Sequence, residues 1–387
     1  MTQTGRMPEG HMVHGMGMAL EAPAWPAITP AEAGTVLARF PASAGHPFTL
    51  AWHSPRPFSA AARVEVPEGT FFLKRHHARL RSPATLAPEH AFMAHLHAHG
   101  LPVPLVETTH DGASVLAQGD WTYELLRPVP GADLYRDRQS WTPFLKACHA
   151  HAAGAALARL HLAARDFRAP ARPDCPLVGS FTILPAPDPM AAARAYVAAR
   201  PALAGWLEDK GWQSRLAALF TALGTGMADP PAMQSPLQRP LWTHNDWHPS
   251  NLLWADDNTV AGIIDFGLAT QTSALHDLAT AIERCAIPWL DLASADPAAC
   301  AQAALGLIAG YRSLVPLSGG DLARVIALLP LVHIEFALSE VDYFIGILND
   351  EAQAMIAWDD YLLGHAQWFL SDAGRAFLGA LEQGAQA

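Results

Sequence analysis

The chain has 387 residues, 51% of them hydrophobic and 16% charged, with a formal net charge of −11 at pH 7. That length exceeds one ordinary hydrophobic core, so two lobes flanking a cleft are the default expectation, and the apolar content excludes global disorder. The negative charge disfavours nucleic acid and anionic membrane surfaces as partners, and no Lys/Arg stripe counters it locally.

Cys148, Cys175, Cys285 and Cys300 are scattered without a CxxC pair, which points to free buried thiols in a reducing cytoplasm rather than to disulfides or a zinc knuckle. Apolar runs are broken by Pro, Gly or charge before the roughly 18–20 residues needed to span a bilayer. The Met/His/Gly-rich start lacks the basic flank and apolar stretch of a secretion signal. A cytoplasmic protein is expected, with residues 1–30 a disordered tail.

From Phe48 to His77, the runs TLAWH, AARVEV and TFFLKRH, separated by SPRPFS and PEG, read as a β-meander. Leu86, Phe92, Met93 and Leu96 share one face of a helix that Gly100 stops. Two further short strands lie in VLAQGDWTYELLRPVPG, whose Pro/Gly turn marks a lobe boundary. Beyond it, Ala-rich periodic stretches near 144–164, 189–223, 273–286, 298–313, 320–348 and 351–370 read as helices. The fold class is therefore α+β: a β-rich lobe over 31–128 and a larger, mainly helical lobe over 129–375. The Pro-rich pieces at 169–189 and 228–240 read as surface connections.

The chemistry concentrates in THNDWHPSNLLW, followed after the turn ADDNT by VAGIIDFG. Phosphoryl transfer to a hydroxyl needs a carboxylate to orient the hydroxyl proton and oxygen ligands for Mg²⁺ on the phosphates. Asp246 supplies the first as catalytic base, and Asn251 and Asp265 supply the second. The hairpin formed by LLW and VAGIID delivers Asp265 at a strand end, with Gly267 freeing the backbone beyond it.

The pattern H-x-D-x-x-x-x-N followed by D-F-G resembles the catalytic and metal loops of protein kinases. The His-Pro-x-Asn ending, with Trp247 and His248 after the Asp, is similar to the aminoglycoside phosphotransferase, choline kinase and type II homoserine kinase superfamily. The resemblance spans roughly 50–345 and implies a bilobal protein-kinase-like fold and an ATP- and Mg²⁺-dependent kinase for a small-molecule acceptor. It also implies that Lys74 contacts the nucleotide phosphates with Glu89 as its partner, and that the hinge near Glu124 and Leu126 binds adenine through backbone groups. The phosphate-covering loop departs from the family in having no Gly, so Ser54, Ser59 and nearby N–H groups would cap phosphates. Asp277 resembles the family's brace for the catalytic loop and equally fits a favourable charge at a helix start. Asp277, Glu283, Glu335 and Asp342 are the acceptor-side carboxylates considered, with Glu335 and Asp342, and Glu340 nearby, on a face suited to an amine.

Two other functions fit parts of the pattern. His244 and His248 with Asp265 suit a metal-dependent hydrolase, although Pro249 interrupts a helix presenting both His. A kinase fold that binds ATP without turnover is the third reading, favoured only by the Gly-free loop. The sequence leaves the oligomeric state open.

Overall fold

The computed structural model describes residues 11–14, 16–17, 19–173, 175–224 and 235–386. The chain divides into two compact units, one running to Pro130 and including Ala261–Ile264, the other holding Gly131–Val260 and Asp265–Ala387.

The first unit contains strands β1 (Val13–His14) and β2 (Leu20–Glu21), helix α1 (Pro30–Leu37), strands β3 (Thr49–His53), β4 (Ala60–Val66) and β5 (Gly69–His77), helix α2 (Pro83–Ala98), and strands β6 (Leu105–Val106), β7 (Leu116–Gln118) and β8 (Trp121–Arg127). Its antiparallel sheet has the order β3-β4-β5-β8-β6, with β7 also on β8. The strand period places Ala60, Ala62, Val64, Phe71, Leu73, Tyr123 and Leu125 in one core with Ile28, Val36, Leu37 and Phe40. Full burial of each large apolar side chain contributes about 1.5–3 kcal/mol.

Much of the segment expected to be a tail is structured. Val13 and His14 pair with Glu21 and Leu20, and Ile28 is fully buried. Thr29 caps α1 in a reciprocal capping box with Glu32, whose carboxylate also binds Arg75 at 2.8 and 3.0 Å and the Tyr123 hydroxyl at 2.8 Å. Residues 1–10 lie outside the described residues, as does most of the connection expected over 228–240, up to 234.

The second unit contains α3 (Ala147–Ala164), α4 (Pro189–Ala198), α5 (Pro201–Leu207), α6 (Trp212–Leu223), β9 (Pro240–Thr243) and β10 (Leu252–Trp254). After β11 (Val260–Ile263), most of which counts with the first unit, follow β12 (Thr270–Ser273), α7 (Ala274–Ala286), α8 (Pro297–Arg312), α9 (Gly319–Leu328), α10 (Ile334–Tyr343), α11 (Glu351–Met355), α12 (His365–Leu370) and α13 (Asp372–Gln386). Helices α3 and α8 meet backbone to backbone. A Cβ on Gly154 would stand 1.9 Å from the Leu307 carbonyl oxygen, and one on Gly310 1.9 Å from that of His151. Strands β9 and β12 pair antiparallel with Thr243 opposite Thr270, and the loop carrying residues 244–251 leaves from the end of β9.

The cysteines are free, but only Cys285 and Cys300 are buried; Cys148 is exposed and Cys175 partly so, which corrects the expectation for those two. Among the described residues, no helix is long and apolar enough to cross a membrane.

Candidate active site

Helix α7 is buried along its whole length, yet carries His276, Asp277, Glu283 and Arg284. Ser273 caps it, its side chain accepting from His276 N, and the placement of its charged groups builds the site. Asp277 accepts hydrogen bonds from the backbone N–H of His244 (3.1 Å) and Asn245 (2.8 Å), and its Oδ2 also meets His161 Nε2 at 3.0 Å. His161 in turn contacts the Tyr311 hydroxyl at 2.9 Å. Burial alone would raise the Asp277 carboxyl, but the hydrogen bond and charge of His161 hold it below the usual range. Of the two readings of Asp277, the brace describes its bonds; a residue with both oxygens occupied and no exposure does not bind an acceptor, so that role is withdrawn.

The braced loop turns at Asn245, which has φ +61°, a conformation Asn tolerates better than most L-residues. Its side-chain oxygen accepts from Thr243 and Thr272, both at 3.0 Å, tying the turn to β9 and β12. The next residue is Asp246. Its N–H donates to His244 Nδ1 at 3.2 Å, and its Oδ2 accepts from Asn251 Nδ2 at 3.0 Å. Oδ1 pairs with Arg284 and lies 3.5 Å from His248 Nε2. Desolvation would raise this carboxyl, whereas His248 and Arg284 more than offset it and hold the group far below the ordinary carboxylate range. Asp246 is therefore ionised at neutral pH, with its two oxygens oriented by different partners.

The Asn251 amide N–H₂ is further fixed by a 2.9 Å bond to the Asp246 carbonyl, which turns its oxygen the other way. That oxygen and the Asp265 carboxylate fit a hard cation. Asp265 takes a left-handed conformation, φ +61° and ψ 71°, just before Phe266 and Gly267. A Cβ on Gly267 would lie 3.4 Å from Asp265 Oδ1, so the carboxylate folds back over the glycine. Phe266 is buried against His244, with ring centroids 4.7 Å apart.

In the first unit, Lys74 is on β5 directly opposite Glu124 of β8, Glu89 is buried on α2, and Ser59 closes the turn between β3 and β4. In that turn the Ser54 hydroxyl accepts from Arg56 N at 3.2 Å, and the Pro55 carbonyl accepts from His14 N at 2.8 Å. Glu124 and Leu126 are not hinge residues. They lie inside a strand bonded to β5 on one side and to β6 and β7 on the other, so their backbone groups belong to ladders. The Glu124 side chain is buried between His76 (3.0 Å) and His90 (2.8 Å), whose hydrogen bonds outweigh desolvation and hold its carboxyl well below the usual range.

The three other acceptor-side carboxylates are also engaged elsewhere. Glu335 accepts from Ser180 Oγ (2.7 Å), Thr182 N (2.8 Å) and Ile183 N (2.7 Å), fastening that loop onto α10. Asp342 lies by Arg200 and the Leu203 N–H at the start of α5, and burial raises its carboxyl. Glu283 is buried against His365. The feature the sequence reading missed is Arg284, whose signal was present: it stands two helical turns from Asp277 on α7 and hence on the same face. Arg284 also lies over Trp141 and Phe336, 5.0 and 4.7 Å from the ring centroids.

His244 and His248 each use Nδ1 within the loop. His244 is fully buried, with Nδ1 accepting from Asp246 N, while His248 Nδ1 bonds Ser250 Oγ at 2.9 Å. Neither belongs to the three-ligand group found among the described residues.

Residues 56–317 match the model of the phosphotransferase enzyme family. The chain belongs to that family. This phosphotransferase is 27% identical over 290 residues to a homoserine kinase of Acidiphilium cryptum (strain JF-5), covering 74% of this chain and 78% of the relative. It is also 27% identical over 304 residues to an uncharacterized protein of Deinococcus radiodurans, covering 77% and 76%. Among solved structures, a microcompartment-associated aminopropanol kinase has a TM-score of 0.59 at 20% identity, covering 89% of this chain and 98% of that one. An amicoumacin kinase in complex with AMP-PNP, Ca²⁺ and Ami has a TM-score of 0.59 at 14% identity, covering 88% and 93%. The phosphotransferase thus has the α+β, protein-kinase-like fold expected of it.

Proposed function

We propose that this phosphotransferase is a small-molecule kinase that moves the γ-phosphoryl group of MgATP to the hydroxyl of an amine-bearing acceptor, an amino alcohol or hydroxy amino acid. The observation that carries the reading is Asp246, one ionised carboxylate held by Arg284 on one oxygen and Asn251 on the other, on a loop whose backbone Asp277 braces. Asp246 accepts the acceptor O–H through a remaining lone pair and takes its proton as the new O–P bond forms and the bond from the γ-phosphorus to the bridging oxygen breaks, that oxygen leaving on ADP. Asn251 and Asp265 hold Mg²⁺, which supplies neutralising charge at the phosphates. Lys74, supported by Glu89, and Ser59 serve the nucleotide phosphates, and adenine recognition falls to 128–130, beyond the ladder bonds of β8.

The amine is supported by the homoserine kinase relative and by the faces of Trp141 and Phe336, which already take one cation, Arg284, near Asp246. ADP release should rise with homoserine, aminopropanol or ethanolamine, and chelating Mg²⁺ should abolish it. The Asp246→Asn variant should lose about 10²–10⁴-fold in turnover while binding ATP within a few-fold of wild type. Tight ATP binding that none of these acceptors converts into ADP would mean that the substrate lies outside this set or that the protein is a pseudokinase.

A further inference from the structure

Beside Arg284 on α7 stands Glu283, fully buried, whose Oε1 lies 2.8 Å from His365 Nδ1 and 3.7 Å from His333 Nδ1. The three side chains come from α7, the residue before α10 and the start of α12, and their ligand atoms all lie within 4.8 Å of one another. Trp289 stacks on the His365 ring at 3.6 Å and donates Nε1–H to the Glu283 backbone carbonyl at 2.9 Å. Four polar atoms here have no hydrogen-bond partner: Glu283 Oε2, His333 Nε2 and both carboxylate oxygens of Glu340. Glu340 Oε2 stands 3.9 Å from His333 Nε2, on the side of the ring opposite Glu283. Buried polar atoms are seldom left unbonded, and of these four Glu283 Oε2 stands among the candidate ligand atoms while His333 Nε2 and Glu340 face each other.

The chemistry of that occupant follows from the donors. Two imidazole nitrogens and a carboxylate suit a transition-metal dication, and bond lengths of about 2.0–2.2 Å place tetrahedral ligand atoms about 3.4 Å apart. The separations of 2.8 and 3.7 Å bracket that value. Metal-bound histidines usually give their second ring nitrogen to a carboxylate, and Glu340 stands where His333 needs one.

We propose that Glu283, through both oxygens, His333 and His365 form a closed structural Zn²⁺ site, with Glu340 receiving the second N–H of His333. This site is distinct from the oxygen-only Mg²⁺ position at Asn251 and Asp265. By fixing Glu283 it also fixes the helix turn that presents Arg284 to Asp246.

The full chain, purified without a polyhistidine tag, should carry close to one Zn²⁺ by elemental analysis, and stripping it with dipicolinate should lower the melting temperature. Replacement by Co²⁺ should give visible d–d absorption from nitrogen and oxygen ligands. His333→Ala and His365→Ala should lose the metal, and Glu340→Gln should weaken its binding by roughly 10–100-fold. If the alanine variants do not fold, the wild-type Co²⁺ spectrum decides alone. Substoichiometric metal, no d–d bands and no thermal shift with added Zn²⁺ would overturn the site and leave Glu283 sharing a proton with His365. None of these readings requires ATP turnover, so they stand or fall apart from the kinase assignment.

Discussion

Asp277 makes the sharpest case at the scale of single residues, because one buried carboxylate serves two backbone N–H groups and an imidazole. Removing one partner of such a network leaves the others desolvated and unbonded, at a cost of about 3–5 kcal/mol. Asp277→Ala should therefore lower stability to denaturant by about that amount and lower turnover as well, since the loop presenting Asp246 loses its brace. Arg284→Ala removes a charge-assisted bond worth about 1.5–3 kcal/mol. If it acts on Asp246 in the transition state, kcat should fall about 10–100-fold with the KM for ATP nearly unchanged.

A pH dependence follows from His276. Burial lowers its pKa from 6.5 to about 4, so between those values the unfolded chain binds a proton that the folded chain refuses. Stability is full above about 6.5 and declines as pH falls towards 4. Melting temperatures measured across that window should drop with acidification, and His276→Gln should flatten the slope. Asp246, Asn251 and Asp265 could be proposed from the sequence because their spacing is local. Arg284 could have been reached through its i, i+7 spacing from Asp277 on one helix, whereas its contact with Asp246 and that of His161 with Asp277, 38 and 116 positions apart, leave no periodic trace.

Among the elements, the strands TLAWH, AARVEV and TFFLKRH and the helix from Leu86 were readable from alternation and periodicity, and they form β3, β4, β5 and α2. Helix α1 was missed although Thr29 and Glu32 carry a capping-box signature, because the Met/His/Gly-rich start was read together with it. Strand β6 has two residues, too few to alternate, so its ladder with β8 left no pattern to set against the hinge resemblance. The approach of α3 to α8 is set by two glycines that the sequence shows only as weak helix formers. Gly154→Ala should destabilise the chain by about 1–3 kcal/mol through overpacking, read as a lower denaturation midpoint at unchanged m-value. An unchanged midpoint would mean that the two helices can separate without loss.

For the whole molecule, composition and motif order led to the right class, an α+β phosphotransferase with a β-rich unit and a helical one. The acceptor was less legible, since the acidic face of α10 looked like an amine site but its first member, Glu335, holds the 180–183 loop instead. Side chains of one type serve packing and recognition alike, and only the fold separates the two uses.

The central claim is transfer from ATP to an acceptor hydroxyl governed by Asp246. It is tested most directly by mass spectrometry of acceptors incubated with MgATP and either wild type or Asp246→Asn. The account predicts that an amino alcohol or hydroxy amino acid gains one phosphoryl group with wild type, and gains it far more slowly with the variant. Equal phosphorylation by both proteins would contradict it.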